Sequence, residues 1–225
     1  MKYQAGPDPL FPYLDENQRF LFPDPLSAED NIVAVGGNLS PGMLLSAYEQ
    51  GIFPWYNRED PVLWQSPDPR CVIFPHTLHI SRSMKKIFDC GNFEISFDAD
   101  FAGVIRGCGE IERPGQDGTW ITEDIIAAYT EMHRLGYAHS AESRQDGILA
   151  GGCYGVLFNN FFCGESMFSR VPNASKAAFL SLAQHLFSER EIQFIDCQVP
   201  TRHLLSLGGA VLSRAEFLAL LKKHL

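Results

Sequence analysis

The 225-residue chain is poor in positive charge: 18 lysines and arginines stand against 27 aspartates and glutamates, for a net charge of −9. That balance argues against a general nucleic-acid binder, which needs a basic surface for phosphate. Long membrane-like apolar runs are missing too. The uncharged stretch 147–164 is 18 residues long, but five glycines and the pair Asn159-Asn160 interrupt it, so a β-hairpin is the better reading. The six cysteines (Cys71, Cys90, Cys108, Cys153, Cys163 and Cys197) include no CxxC and no Cys/His pairing at metal spacing. With no secretory leader visible at the start, they read as reduced thiols of a cytoplasmic protein, and no metal site is expected. Repeats and low-complexity segments are absent.

The positive charge that is present is unevenly placed. Residues 70–88 contain Arg70, Arg82, Lys85 and Lys86 with His76 and His79, and no acid. This is either a solvated helix surface or a local anion-binding face. The first 80 residues are rich in proline and aromatics, as in Phe53-Pro54-Trp55 and Ser66-Pro67-Asp68-Pro69. One helix is clear there: Ser40 suits an N-cap, Pro41 the first turn, Met43, Leu44, Ala47 and Tyr48 a stripe, and Gly51 the end. The expectation is a small N-terminal domain over 1–80 and a larger one over 81–225.

From about residue 92 the pattern becomes regular. Strands are expected at 93–97, 137–142, 148–158, 161–168, 192–197 and 209–212. Helices are expected from Asp100, from Thr122 to Leu135 with Ile125, Tyr129 and Met132 on one face, and from Asn173 to Glu189. Ser213 with Glu216 forms a capping box opening a last helix. The order β-α-α-β-β-β-α-β-α-β-α is that of the GCN5-related N-acetyltransferase (GNAT) fold, so the fold class is α+β with a central mixed sheet. A coenzyme A user of that fold needs a glycine-rich turn before its central helix. Residues 169–176 (Ser-Arg-Val-Pro-Asn-Ala-Ser-Lys) contain no glycine, so no cofactor is expected.

Two stretches put polar side chains inside apolar, strand-like sequence: Gly164-Glu165-Ser166-Met167-Phe168-Ser169 and Ile195-Asp196-Cys197-Gln198. A buried carboxylate is costly unless paired or used. Glu165 is either a structural carboxylate or one that holds a substrate ammonium or orients an amide. Asp196 and Gln198, two apart on a strand, project to one face, where the Asp can fix the Gln amide. Cys197 between them is expected to point the other way, as a buried structural thiol. Trp55 and Trp120 read either as core or as platforms for a nucleobase.

These residues also carry a resemblance. Gly36 to Pro41, Gly51 to Tyr56, Ser66 to Arg70 and His79 to Lys85 resemble the N-terminal signature of leucyl/phenylalanyl-tRNA–protein transferases. Thr119-Trp120-Ile121, Ala138-His139-Ser140, Gly164 to Ser169, Asn173 to Lys176, Ile195 to Gln198 and Ser206-Leu207-Gly208 resemble the C-terminal one. The matches run in the family's order over roughly residues 30 to 210.

The resemblance implies an aminoacyltransferase that moves Leu or Phe, and also Met, from aminoacyl-tRNA onto the N-terminal Arg or Lys of proteins, creating a bacterial N-degron. It implies a cytoplasmic monomer, without membrane, metal or coenzyme A. The C-terminal GNAT-like domain would be catalytic and the N-terminal one would bind the tRNA end. By similarity Gln198 accepts a hydrogen bond from the attacking amine with help from Asp196, and Glu165 supports that network or meets the acceptor. The side-chain pocket maps onto Cys153, Phe162, Met167, Ser169, Phe179, Leu182 and Ile195. Trp55 and Trp120 would hold the terminal adenosine, and Arg70, Arg82, Lys85 and Lys86 the phosphates. The chain departs from the family at Gln65 and Arg144, where tryptophan is common, at Cys153, which is smaller, and at Phe179, which is larger. Rival readings are a GNAT acetyltransferase, a cell-wall aminoacyl-tRNA user on the same fold, and a silent tRNA-binding module.

Overall fold

A computed structural model describes residues 4–28, 30–111, 119–158 and 160–225. Asn159 of the expected hairpin turn and Gly118 beside Trp120 lie outside the described residues. The first part of the chain holds β1 (Ile32–Val35), α1 (Pro41–Glu49), β2 (Phe53–Pro54) and β3 (Leu63–Gln65), with a three-stranded sheet ordered β1-β3-β2. The apolar pattern predicts one buried stripe on α1, yet Pro41 through Tyr48 are all buried. The cause is packing on several sides: the Gly42 N–H donates to Leu14 O at 2.9 Å, and Tyr48 meets Tyr129 of a later helix. Ser40 precedes the helix but does not cap it; its Oγ accepts from the Leu14 N–H at 3.2 Å, fastening the N-terminal segment instead.

Next come β4 (Arg70–Ile73), α2 (Arg82–Asp89), β5 (Glu94–Phe97), α3 (Phe101–Glu110) and α4 (Glu123–Arg134). The rest is β6 (Ala138–Gln145), β7 (Ile148–Leu157), β8 (Phe161–Ser169), α5 (Ala174–Glu189), β9 (Phe194–Asp196), α6 (Arg202–Ser206), β10 (Ala210–Leu212) and α7 (Arg214–Lys222). From β5 onward this is the expected order. The cap at Thr122, the left-handed Gly136 after α4 and the reciprocal Ser213–Glu216 box are all present. No described helix is long and apolar enough to cross a membrane.

These strands form one mixed sheet, ordered β10-β4-β9-β8-β7-β6-β5, in which β8–β9 is the parallel pair. Strand β4 falls within the first 80 residues but pairs inside this large sheet, between β10 and β9. One core cluster, including Val104, Ile125, Tyr129 and Phe168, unites α3 and α4 with α1. The other gathers Met84 of α2 and the buried residues of α5 around Ile73, Phe162 and Ile195.

Two irregularities in β8 create an opening in the sheet. Tyr154 of β7 pairs with Ser166 while Gly155 pairs with Gly164, so Glu165 is the extra residue of a bulge. Strand β9 pairs β8 only at Phe161, Phe162 and Cys163, opposite Phe194, Ile195 and Asp196. Beyond that point the two strands part.

Candidate active site

The parting strands open a pocket of about 240 Å³. Gly164, Glu165, Ser166 and Met167 wall it from β8, Cys197 and Gln198 from beyond β9, and Thr201, His203 and Leu204 from α6 and its approach. Cys153, Phe162 and Phe179 form an apolar side and Trp120 also borders it. Four of the seven expected pocket residues are therefore there: Cys153, Phe162, Met167 and Phe179. Ser169, Leu182 and Ile195 are not among the lining residues. Ser169 Oγ accepts from the Ser175 N–H and donates to Val171 O, each at 3.0 Å, fastening the turn into α5. Leu182 and Ile195 are buried core.

Glu165 and Gln198 meet at the pocket wall. Gln198 Nε2 donates to Glu165 Oε1 at 2.8 Å. Oε2 of the same carboxylate accepts from the Tyr129 hydroxyl at 3.1 Å, and Tyr129 is in turn hydrogen-bonded to Tyr48. Burial, with the charge of Glu165 close by, drives both phenol pKa values well above the ordinary tyrosine value, so both stay protonated donors. Burial raises Glu165 to about 7, against the hydrogen bonds from Tyr48 and Tyr129 that hold it down. Once ionised, Glu165 can only accept, which fixes the Gln198 amide with nitrogen toward Glu165 and oxygen away from it. Of the two readings left open for Glu165, the contact observed is the one to the amide.

Asp196 is placed differently from the expectation. It is 1% exposed and forms a two-pronged ion pair with Arg70, Nε to Oδ1 at 2.9 Å and Nη2 to Oδ2 at 2.6 Å. Its contact with Gln198 is to the main-chain N–H, at 2.9 Å, and not to the amide. Asp196 therefore positions the Gln198 backbone, which takes a left-handed φ of 62°, while Glu165 positions its side chain. Cys197 points to the face opposite Asp196, as expected, into the core cluster of Cys71 and Ile195; the turn at Gln198 brings that amide to the same pocket instead of onto the Asp196 face.

Arg70 itself needs correction as a phosphate contact. It is 1% exposed, committed to Asp196, and held between the rings of Phe53 and Phe217 at 5.0 and 4.3 Å. Arg82, Lys85 and Lys86 differ: all three are exposed on α2, whose buried anchor is Met84. Trp55 is half-buried against the first core and, unlike Trp120, does not line the pocket. Gln65 Nε2 donates to the Trp55 main-chain oxygen at 2.6 Å. Arg144 pairs with Asp100 at 3.0 Å.

Sequence reading missed Tyr48 and Tyr129, which looked like ordinary apolar-face residues; His203, readable from sequence only as a base for Cys197, also lines the pocket, and its pKa is lowered by burial and the nearby Lys176 charge. Nothing local marks the tyrosines, because their partner Glu165 is 36 residues beyond Tyr129. Among the described residues no group of three His, Cys, Asp or Glu side chains is placed to hold a metal.

Comparison with known proteins adds an independent line. Residues 72–222 match the family profile described as leucyl/phenylalanyl-tRNA protein transferase, and residues 37–68 that of its N-terminal domain. The gap between the two matches lies just before or at the start of β4. A leucyl/phenylalanyl-tRNA–protein transferase of Pseudomonas entomophila is 51% identical over 87% of this chain and 86% of its own. The corresponding proteins of Anaeromyxobacter sp. strain K and Syntrophotalea carbinolica are 50% and 48% identical, over 91% and 95% of this chain and 88% and 92% of theirs. Among solved structures, a GCN5-related N-acetyltransferase from Kribbella flavida covers 76% of this chain and 60% of its own at 10% identity and a TM-score of 0.40. That likeness is loose, and the fold assignment rests on element order and strand pairing.

Proposed function

The chain belongs to the leucyl/phenylalanyl-tRNA–protein transferase family, and from that membership we propose that it transfers Leu or Phe from aminoacyl-tRNA to the N-terminal Arg or Lys of acceptor proteins. The observation that carries the mechanism is the 2.8 Å bond between Gln198 Nε2 and Glu165 Oε1 at the edge of an apolar pocket. The ester of aminoacyl-tRNA is already activated, so the enzyme has to hold an amine against a carbonyl and manage one proton. The Leu or Phe side chain enters the apolar side formed by Cys153, Phe162, Met167 and Phe179. Gln198 Oε1 accepts a hydrogen bond from the acceptor α-amine and directs its lone pair at the ester carbonyl. A C–N bond forms, the ester C–O bond breaks, the amine gives up a proton and the terminal ribose oxygen gains one.

No strong base touches the amine in this scheme, because Gln198 is an amide and Asp196 is spent on Arg70. Orientation supplies the rate. An apolar pocket separates similar side chains by only about 1–3 kcal/mol, so methionine is transferred as well. The product, with a new N-terminal Leu or Phe, is a degradation label.

Trp120 borders the pocket and suits the terminal adenosine, with Trp55 as a second platform. The exposed Arg82, Lys85 and Lys86 of α2 suit acceptor-stem phosphates, a contact that carries no sequence information and so admits several tRNAs. Replacing Lys85 and Lys86 together by alanine is expected to flatten the dependence of log affinity on log salt by roughly 1.5, measured by tRNA binding across a salt series. An unchanged slope would remove α2 from the tRNA interface.

The activity itself is tested with labelled leucyl-tRNA and two peptides, one starting with Arg and one with Ala. Labelling of the Arg peptide alone is expected. Equal labelling of both, or of neither, would contradict the proposal.

A further inference from the structure

Two thiols that the transfer reaction does not use face each other across neighbouring strands. Strands β4 and β9 are antiparallel, with Val72 opposite Asp196, and just beyond that pair Cys71 faces Cys197 and Gln198 together. The Cys197 N–H donates to Cys71 O at 2.8 Å, which locks that juxtaposition. Directly opposed residues of an antiparallel pair have Cα atoms about 4.5–5.5 Å apart and side chains on one face. A disulfide requires Cα atoms about 4.4–6.8 Å apart, a span that such neighbours meet. Both side chains belong to the same core cluster, and each thiol perturbs the ionisation of the other. Cys71 is fully buried, whereas Cys197 lines the substrate pocket next to Gln198.

We propose that Cys71 and Cys197 are a peroxide-sensitive pair, and that their oxidation to a disulfide disables the pocket. The functional half of this statement rests on the transferase reading above; the chemical half does not. A hydroperoxide is small enough to reach Cys197 through the pocket. The Cys197 sulfur attacks the terminal peroxide oxygen, the O–O bond breaks, the thiol proton passes to the departing oxygen, which leaves as alcohol or water, and Cys197 becomes a sulfenic acid. The Cys71 sulfur then attacks that sulfur, water leaves, and the disulfide forms. In total two thiols and one hydroperoxide give one disulfide, one alcohol (or water) and one water. Drawing Cys197 toward β4 pulls on the segment that carries Gln198, whose main-chain oxygen already accepts from the Cys71 N–H at 2.8 Å.

The test is to treat the full-length protein with hydrogen peroxide and follow intact mass, peptide mapping and leucyl transfer together. The expected result is loss of two hydrogen masses, a mapped Cys71–Cys197 bond, and loss of transfer that a dithiol reductant restores. Cys71→Ala and Cys71→Ser are expected to keep basal transfer and to resist reversible inactivation. A disulfide mapped elsewhere (Cys163 is the nearest rival), no disulfide at all, or equal inactivation of the Cys71 variants would overturn the proposal. An untreated protein without transfer activity would instead count against the transferase reading, while the mapping would still decide whether the bond forms.

Discussion

Glu165→Gln is expected to lower the single-turnover rate of leucyl transfer by about 10²-fold, the loss associated with misplacing a reacting group by about 1 Å. The argument is one of hydrogen-bond direction. The carboxylate accepts from both Tyr129 and Gln198, so the Gln198 amide has one allowed orientation. A glutamine at 165 still accepts from Tyr129 through its oxygen, but its NH₂ then faces Gln198. The pair is best satisfied when Gln198 turns its oxygen inward, away from the substrate amine. Affinity for leucyl-tRNA should change little, because the apolar side of the pocket is untouched.

Stability should move the other way. Glu165 has a folded pKa of about 7, raised from 4.5, so the folded protein binds the extra proton between those values. Stability from this group is then full below about pH 4.5 and is lost as the pH rises toward 7, by an amount on the order of 3 kcal/mol. The glutamine variant escapes that loss and should be no less stable than the parent at about pH 8, measured by urea denaturation.

The second large effect concerns Arg70. Arg70→Ala is expected to cost about 3–5 kcal/mol of folding stability, because it leaves Asp196 charged and unpaired in the core. Replacing both, Arg70 by Met and Asp196 by Leu, should recover most of that stability without recovering transfer. The double variant still lacks the acceptor for the Gln198 main-chain N–H. A double variant that transfers at the parental rate would remove Asp196 from the positioning of Gln198. Unfolding that is insensitive to Arg70→Ala would mean the guanidinium is not buried as described.

How much of this was legible in the sequence depended on the range of the signal. Thr122, Gly136 and the Ser213–Glu216 pair are local signals, and each marked a helix end that the fold keeps. Arg70 and Asp196 are 126 residues apart, and nothing in a run of basic residues distinguishes a buried arginine from the exposed Lys85 and Lys86. The bulge at Glu165 was also invisible. Phe162 and Met167 are an odd number of residues apart and would face opposite sides of a regular strand. The extra residue restores their common face, so both reach the pocket while Glu165 turns to Tyr129. The shared face expected for Asp196 and Gln198 fails for a related reason: the strand ends at Asp196 and Gln198 takes a positive φ, while Cys197 keeps its place opposite Asp196. The apolar pocket residues, implied by the resemblance, were half legible, since neither the helical pattern around Leu182 nor the strand pattern around Ile195 separates core from residues that reach open space.

The central claim is that ionised Glu165 holds the Gln198 amide in its working orientation. The acceptor α-amine must also lose a proton, near about pH 8, so a single rising limb would not isolate Glu165. The decisive measurement is therefore the logarithm of the single-turnover transfer rate against pH, for the parent and for Glu165→Gln. The parent should rise with a slope approaching two below about pH 7, a slope of one between about pH 7 and 8, and a plateau above. The variant should be slow throughout and rise with a slope of one. A parent slope of one across the whole range, or a variant as fast as the parent, would contradict the account.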